Sequence, residues 1–84
     1  MEKPRSVKFS RRAIRALDKI EPRFSARIKE AIRAISSNPL LGKRLKGEFE
    51  GLLSYRIGSF RIVYRFTRDR LEVVYIEDRK DIYR

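Results

Sequence analysis

Hydrophobic and polar residues alternate at the start of the chain and then follow the period of a helix. Residues 5–10 show the two-residue period of a strand, with Val7 and Phe9 on one side. Ser10 then stands where a helix N-cap belongs, because its hydroxyl can accept a hydrogen bond from a free backbone N–H of the first turn. A first helix is predicted over residues 11–20. Its buried face is expected to contain Ile14, Leu17 and Ile20.

A second helix is predicted within residues 21–39. Pro22 fits the first position of a helix, and the Asn38-Pro39 pair ends it. Its apolar face follows the helical period and contains Phe24, Ile28, Ala31, Ile32 and Ile35. Because the link between the two helices is very short, we expect an antiparallel helical hairpin.

The second half of the chain predicts three antiparallel strands, over residues 52–57, 60–67 and 70–77. A glycine-containing loop at residues 40–51 is predicted before them. Gly58 and Ser59 fit the two-residue turn of a hairpin between the first two strands. Counting outward from this turn places Arg56 directly opposite Arg61.

The turn between the last two strands decides which residues share a face of the sheet. With a turn at residues 68–69, Val63 pairs with Val74, and Arg61 then pairs with Ile76. The face toward the helices is expected to contain Leu53, Tyr55, Ile57, Phe60, Ile62, Tyr64, Phe66, Leu71, Val73 and Tyr75. The other face is expected to contain Ser54, Arg56, Arg61, Val63, Arg65, Val74 and Ile76. We therefore predict one α+β domain over residues 1–84, with an N-terminal strand, a helical hairpin and a mainly antiparallel sheet packed on the helices.

Composition narrows the chemistry that this fold can carry. The chain has 22 Lys and Arg but 11 Asp and Glu, which gives a formal net charge of +11. Such an excess opposes compaction and favours a polyanionic partner, above all a nucleic acid. The alternative is a basic surface without such a partner. Cysteine and histidine are absent, which excludes disulfides, thiolate–metal sites and catalysis by histidine.

The facing arginines are the first candidates for a site. Like charges at paired cross-strand positions destabilise a sheet, so Arg56 and Arg61 need a reason to be paired. An anion such as a phosphate, bound between the two guanidinium groups, would replace their repulsion with charge-assisted hydrogen bonds. The alternative is that both side chains extend into solvent, as long charged side chains often do.

Other basic residues form two groups outside this pair. Arg11, Arg15 and Lys19 recur at helical spacing and form a basic stripe on the first helix. The predicted loop carries a basic rim formed by Lys43, Arg44 and Lys46. These six residues, together with Arg65 on the sheet, are the predicted contacts to the phosphates of a nucleic acid.

Three apolar residues are predicted on the arginine face: Val63, Val74 and Ile76. They suit a surface that meets bases or a partner chain. They suit equally well a small satellite core under the loop at residues 40–51.

The C-terminal residues offer a candidate base but no metal site. Tyr83 lies close to Arg79, and nearby positive charge favours the phenolate form of a tyrosine. Glu77, Asp78 and Asp81 match no ligand motif, and basic residues stand between them, so we expect neither a metal nor another cofactor.

Three motifs together resemble the RelE/ParE superfamily of toxins from toxin–antitoxin systems, over nearly the whole chain. They are "LKG" at residues 45–47, "YRIGSFRIVYR" at residues 55–65 and the C-terminal "R…(I/V)Y" pattern. The resemblance implies the RelE branch, whose members are ribosome-dependent endoribonucleases that cut messenger RNA in the ribosomal A site without a metal. Ser54 departs from the pattern, because well-studied relatives carry a lysine there.

The resemblance also assigns roles to four residues. Arg61 falls on the hairpin arginine treated as catalytic, and Arg56 falls near a basic residue of the preceding strand. Arg79 falls on the arginine after the last strand, and Tyr83 falls on the tyrosine near the C-terminus. Cleavage would proceed by attack of a ribose 2′-OH on the adjacent phosphate.

Partners and alternatives follow from the same resemblance. We expect a cognate antitoxin that is acidic or carries an acidic segment, together with the ribosome and messenger RNA, and no small-molecule ligand. We expect no membrane association, because no apolar run is long enough and the N-terminus has no hydrophobic signal core. We also expect a cytoplasmic location, which the absence of cysteine suits. The alternatives are a ParE-like inhibitor of DNA gyrase without nuclease activity, a non-catalytic module that binds RNA or the ribosome, and a decayed toxin.

Overall fold

Five strands form one sheet in the computed structural model, which describes residues 4–78 of the chain. The strands are β1 (Ser6–Phe9), β2 (Lys43–Arg44), β3 (Leu53–Ile57), β4 (Phe60–Phe66) and β5 (Arg70–Asp78). The helices are α1 (Arg11–Lys19) and α2 (Pro22–Ser37). The strand order is β1-β5-β4-β3-β2, and β1 runs parallel to β5 while the other neighbours are antiparallel. The predicted α+β fold, a mainly antiparallel sheet packed on two helices, is confirmed.

Both helices begin where the sequence predicts. The Ala13 N–H donates a 3.0 Å hydrogen bond to Ser10 Oγ, so Ser10 caps α1. The same hydroxyl donates to the Val74 carbonyl and thereby ties the start of α1 to β5. Pro22 is the first residue of α2, and Asn38 ends that helix.

The buried face of α1 differs from the predicted one. Ile14 is 48% exposed, whereas Ala13 is fully buried. Leu17 and Ile20 pack against the core as predicted, with Ala16 beside them. Because α1 packs against β5, the side of the helix with short alanine side chains allows the closer approach, and Ile14 is left toward solvent.

The predicted face of α2 is confirmed and forms the core together with one face of the sheet. The buried members of this core are Ala13, Ile28, Ala31, Ile32, Ile35, Leu53, Phe60, Ile62, Tyr64, Leu71, Val73 and Ile76. Phe24 packs partly buried against them. We call the opposite face of the sheet the outer face. Because side chains alternate between the two faces of a strand, the outer face carries the exposed polar side chains of β3, β4 and β5.

The segment predicted as a loop at residues 40–51 contains more structure than expected. Lys43 and Arg44 form β2, an edge strand that pairs with Ser54 and Leu53 of β3. The Tyr64 hydroxyl explains this order, because it donates to the Pro39 carbonyl at 2.6 Å and accepts from the Gly42 N–H at 3.0 Å. These long-range bonds hold the segment against the sheet. Gly42 is required there, since a Cβ would collide with the Tyr64 hydroxyl.

The register of the β3–β4 hairpin is the predicted one. Ile57 pairs with Phe60 and Arg56 pairs with Arg61. Gly58 has a positive φ of 60°, which a two-residue turn between such strands demands and which glycine adopts without strain. The two arginines therefore face each other on the outer face.

The register between β4 and β5 is predicted correctly for only part of its length. Arg65 pairs with Glu72 as expected, and Tyr64 pairs with Val73. The register then shifts by one residue, and Val63 pairs with Tyr75 rather than with Val74. Val74 is thus the extra residue of a β-bulge.

Three residues expected to form an exposed apolar surface are less exposed than predicted, and the bulge moves one of them, Ile76, to the other face of the sheet. Ile76 pairs with Ile62 and joins the core instead of the outer face, so Arg61 pairs with Glu77. Val63 does face outward, opposite Tyr75, but it is fully buried. Val74 is half-buried. The exposed apolar surface predicted from Val63, Val74 and Ile76 is therefore not present, and Ile76 belongs to the main core rather than to a satellite core.

Candidate active site

Three charged residues lie side by side across the outer face of the sheet. Arg56 on β3 is paired with Arg61 on β4, and Arg61 is paired in turn with Glu77 on β5. Adjacent strands lie about 4.8 Å apart, so long side chains at paired positions reach one another. We call Arg56, Arg61 and Glu77 the charged row.

Within the charged row, Arg61 and Glu77 form an ion pair. Arg61 Nη2 lies 2.8 Å from Glu77 Oε2, and Arg61 Nε donates to the same oxygen at 3.0 Å. The Arg61 side chain is 42% exposed and the Glu77 side chain 23% exposed. A pair with this much solvent contact contributes at most about 1 kcal/mol to stability. It offsets part of the repulsion between the two arginines, a compensation that sequence reasoning missed.

Arg56 stands at the other end of the charged row and has no acidic partner among residues 4–78. Its side chain is exposed and makes neither an ion pair nor a hydrogen bond within residues 4–78. The row thus carries a net charge of one positive unit: the Arg61 guanidinium is held by a carboxylate, and the Arg56 guanidinium is bound by no other group of the described segment. Two adjacent guanidinium groups of this kind match the oxygens of a phosphate.

The edge strand β2 adds a further cation to the outer face. Lys43 pairs with Ser54, which pairs with the outward-facing Val63, so Lys43 belongs to the row next to the charged row. Arg56 is the diagonal neighbour of Lys43, a spacing of about 7–8 Å that long side chains can bridge. Lys43, Arg44 and Lys46 are all exposed. Lys43 therefore stands directly beside Ser54, the position at which the sequence departs from the family pattern.

Arg65 lies on the same face but apart from the charged row. It forms an ion pair with Glu72 of β5, and the Arg65 side chain is 63% exposed. Four residues along a strand correspond to about 13 Å, so Arg65 is well separated from Arg61 along β4.

The basic stripe of α1 lines a cleft of about 840 Å³. Its wall contains Arg11, Arg12, Arg15 and Lys19, and two acidic residues, Glu21 and Asp78, also line it. The floor is apolar and contains Ala16, Ile20, Phe24, Phe60 and Ile76. Since Phe60 and Ile76 neighbour Arg61 and Glu77 in sequence, the cleft lies at the same end of the sheet as the charged row but on the other face.

Two of the predicted site residues lie outside the described part of the chain. Arg79 and Tyr83 follow β5, whose last residue is Asp78. Their predicted roles as a charge-stabilising arginine and a candidate base stay predictions. Within residues 4–78, no helix is long and apolar enough to span a membrane.

Comparison with known proteins gives the family. Residues 7–83 match the model of the ParE toxin of the type II toxin–antitoxin system parDE. The chain is 39% identical to Toxin RelG of Mycobacterium tuberculosis over 85 residues, which cover 96% of this chain and 98% of that protein. The chain belongs to the RelE/ParE superfamily of type II toxin–antitoxin toxins.

Solved structures agree with this assignment and place the toxin in the RelE-like branch. The RelBE2 toxin–antitoxin complex of Mycobacterium tuberculosis matches with a TM-score of 0.85 and 32% identity, over 94% of this chain and 98% of that one. The intact RelBE toxin–antitoxin complex of E. coli matches with a TM-score of 0.76, over 88% of this chain and 95% of that one. The latter is 16% identical and shows the fold alone. The predicted resemblance is thereby confirmed.

Sequence reasoning misses one residue of the charged row and the placement of one residue beside it. The sequence suggests Glu77 only as a metal-ligand candidate, because the uninterrupted apolar run at residues 73–76 hides the bulge that turns Glu77 toward Arg61. The sequence predicts Lys43 as a phosphate contact on the rim of a loop, but it does not predict that Lys43 lies in a strand beside Ser54, because β2 is two residues long and owes its order to Tyr64. A two-residue strand has no periodicity to detect.

Proposed function

We propose that the toxin cleaves messenger RNA in the A site of the ribosome and thereby inhibits translation. The observation that supports this most directly is the pairing of Arg56 with Arg61 on an exposed strand face, with Arg56 open to an anion. Membership of the RelE-like branch supports the same reading. The toxin would act in the cytoplasm, where translating ribosomes are found.

The proposed reaction is an attack of a ribose 2′-OH on the neighbouring phosphate. It passes through a dianionic phosphorane, after which the P–O5′ bond breaks. The departing 5′-oxygen takes up one proton, which balances the proton lost by the 2′-OH, and the products are a 2′,3′-cyclic phosphate and a free 5′-OH. Arg56 and Arg61 would stabilise the phosphorane, because fixed positive charge aimed at developing negative charge is usually the largest catalytic contribution. Cleavage without a metal is part of the proposal, since the guanidinium groups would supply the charge that a metal ion supplies elsewhere.

Residues beyond β5 complete the proposed site. Tyr83 would accept the proton of the 2′-OH, and Arg79 would assist charge stabilisation or place the leaving group. A tyrosine base is chemically reasonable in a chain without histidine, because positive neighbours favour phenolate.

Binding to the ribosome is proposed to use the basic groups around the charged row. Arg11, Arg15 and Lys19 are exposed along α1, and Lys43, Arg44 and Lys46 are exposed along the segment held by Tyr64. Arg65 would contact a phosphate farther along the strand. Contacts of this kind release counterions, so affinity should fall steeply with salt.

A cognate antitoxin is the proposed protein partner. The structural relatives include toxin–antitoxin complexes, and the basic wall and apolar floor of the α1 cleft suit an acidic segment with apolar side chains. This cleft replaces the surface predicted from Val63, Val74 and Ile76, because Val63 and Ile76 are buried. Co-expression with a neighbouring small open reading frame and pull-down would test it, with a toxin that is harmless and partnerless as the contrary result.

Inhibition of DNA gyrase is the second candidate, favoured by the match of residues 7–83 to a ParE model. Expression of the toxin in cells, followed by mapping of messenger RNA 5′ ends, separates the two. Codon-phased cuts confined to translated messages support cleavage at the ribosome. DNA damage with intact messages supports gyrase inhibition, and absence of toxicity points to a decayed toxin or a non-catalytic module that binds RNA or the ribosome.

A further inference from the structure

Glu77 is the acidic member of the charged row, and the reaction proposed above does not use it. We propose that Glu77 is a positioning residue that holds the Arg61 guanidinium in place so that Arg56 and Arg61 meet the same phosphate. This inference rests on the proposed cleavage of RNA. It concerns how Arg61 is presented rather than any contact of Glu77 with the substrate.

The contacts of Arg61 show which part of its guanidinium is held. Nε and Nη2 both approach Glu77 Oε2, at 3.0 Å and 2.8 Å. A guanidinium has five N–H donors in one plane, so fixing the Nε edge leaves the donors of Nη1 and one donor of Nη2 free. A phosphate can then bind Arg61 without displacing Glu77.

The β-bulge is the device that brings Glu77 to this place. With the register that holds at Arg65 and Glu72, Arg61 would have faced Ile76; the extra residue Val74 moves Glu77 opposite it instead. Bulges commonly re-aim side chains next to active sites. A half-exposed ion pair adds little stability, so the stability of the sheet alone does not account for it.

Glu77 also has an electrostatic cost that makes the inference testable. Its negative charge lies beside the proposed phosphate site and weakens the binding of RNA before reaction. Removing the negative charge of Glu77 should therefore tighten the binding of RNA, and it should also leave the Arg61 guanidinium without its fixed position. A positioning role predicts that KM and kcat both fall, whereas a purely structural role predicts a lower melting temperature and no gain in affinity.

The experiment compares Glu77→Ala and Glu77→Gln with the wild-type toxin on ribosomes programmed with a short messenger RNA. We expect kcat to fall about 10- to 100-fold in Glu77→Ala, the range that a misplaced catalytic group commonly costs. Glu77→Gln keeps an acceptor for Arg61 and should show an intermediate kcat. KM should be lower in both variants, and both should unfold at nearly the wild-type temperature.

Glu72→Ala is the matched control, because Glu72 forms the same kind of ion pair with Arg65 across the same two strands. It should keep the wild-type kcat. A wild-type kcat in Glu77→Ala, or a loss that only follows the unfolded fraction, would overturn the inference. An equal loss of kcat in Glu72→Ala would also overturn the inference.

A second readout separates this inference from the proposed function. The Nε–Hε proton of Arg61 should exchange slowly with water in wild type and in Glu72→Ala, and fast in Glu77→Ala, as measured by ¹⁵N NMR. If wild type cuts no RNA, the proposed function fails, but slow exchange that depends on Glu77 still supports the held guanidinium. Equal exchange in wild type and Glu77→Ala overturns it.

Discussion

The Tyr64 hydroxyl holds the basic segment before β3 against the sheet, and replacing it should measure what that attachment contributes. Tyr64 is fully buried, and its hydroxyl both donates to the Pro39 carbonyl and accepts from the Gly42 N–H. Tyr64→Phe removes the hydroxyl and leaves the Pro39 carbonyl and the Gly42 N–H without their hydrogen-bond partner. A buried polar group left unsatisfied costs about 1–3 kcal/mol.

We expect Tyr64→Phe to lower the free energy of unfolding by about 1–3 kcal/mol in total, because Gly42 is half-buried and water can satisfy part of what is lost. In a domain of this size each kcal/mol corresponds to about 4–8 °C in melting temperature. Thermal unfolding followed by circular dichroism measures the shift. Amide hydrogen exchange should accelerate at Gly42 before it does so in β4.

Tyr55→Phe is the control for this change, because Tyr55 is a half-buried strand tyrosine whose hydroxyl has no hydrogen bond within residues 4–78. It should leave the melting temperature nearly unchanged. A Tyr64→Phe variant as stable as wild type, with unchanged exchange at Gly42, would refute the idea that this hydroxyl orders the segment.

Three further predictions concern the same segment and the basic stripe. Burial raises the pKa of Tyr64, so above pH 10.0 the folded state keeps the phenol proton while the unfolded state loses it. The free energy of unfolding of the wild type should therefore decline as pH rises above 10.0, and more steeply than that of Tyr64→Phe; urea titrations measure both. Gly42→Ala should cost about 1–3 kcal/mol in denaturant unfolding, because a Cβ would lie 2.9 Å from the Ser54 carbonyl oxygen and collide with Tyr64. Arg15→Ser should weaken ribosome binding in sedimentation assays and reduce the salt slope by about one, whereas Arg33→Ser, an equal charge change on α2, should do neither.

How far the sequence predicts this toxin depends on whether a local signal marks each feature. The Arg56–Arg61 pairing follows from the Gly58 turn, because a two-residue turn fixes the register of both strands. The bulge at Val74 has no such signal. Every residue from Val73 to Ile76 is apolar, so shifting the register by one leaves the hydrophobic pattern unchanged.

Two other differences arise from tertiary contacts. The order of β2 depends on Tyr64, which is separated from Gly42 by 22 residues in sequence. On α1, the periodicity is compatible with burial of either Ile14 or Ala13, and only the approach to β5 decides between them. The family motifs identify Arg56 and Arg61 but do not indicate that Glu77 lies beside them.

The proposed role of the facing arginines is RNA cleavage rather than stabilisation of the fold. Arg61→Thr tests it most directly when stability and cleavage are measured on one preparation. The substitution relieves the repulsion from Arg56, which stabilises the fold, and removes the ion pair with Glu77, which destabilises it. Each effect is worth about 0.2–1 kcal/mol, so the free energy of unfolding should change by less than about 1 kcal/mol. Cleavage of messenger RNA on programmed ribosomes should fall about 100- to 1000-fold, the usual effect of removing one donor to a transition-state anion. A variant that is clearly destabilised, or one that is stable and still cuts at the wild-type rate, would contradict the claim.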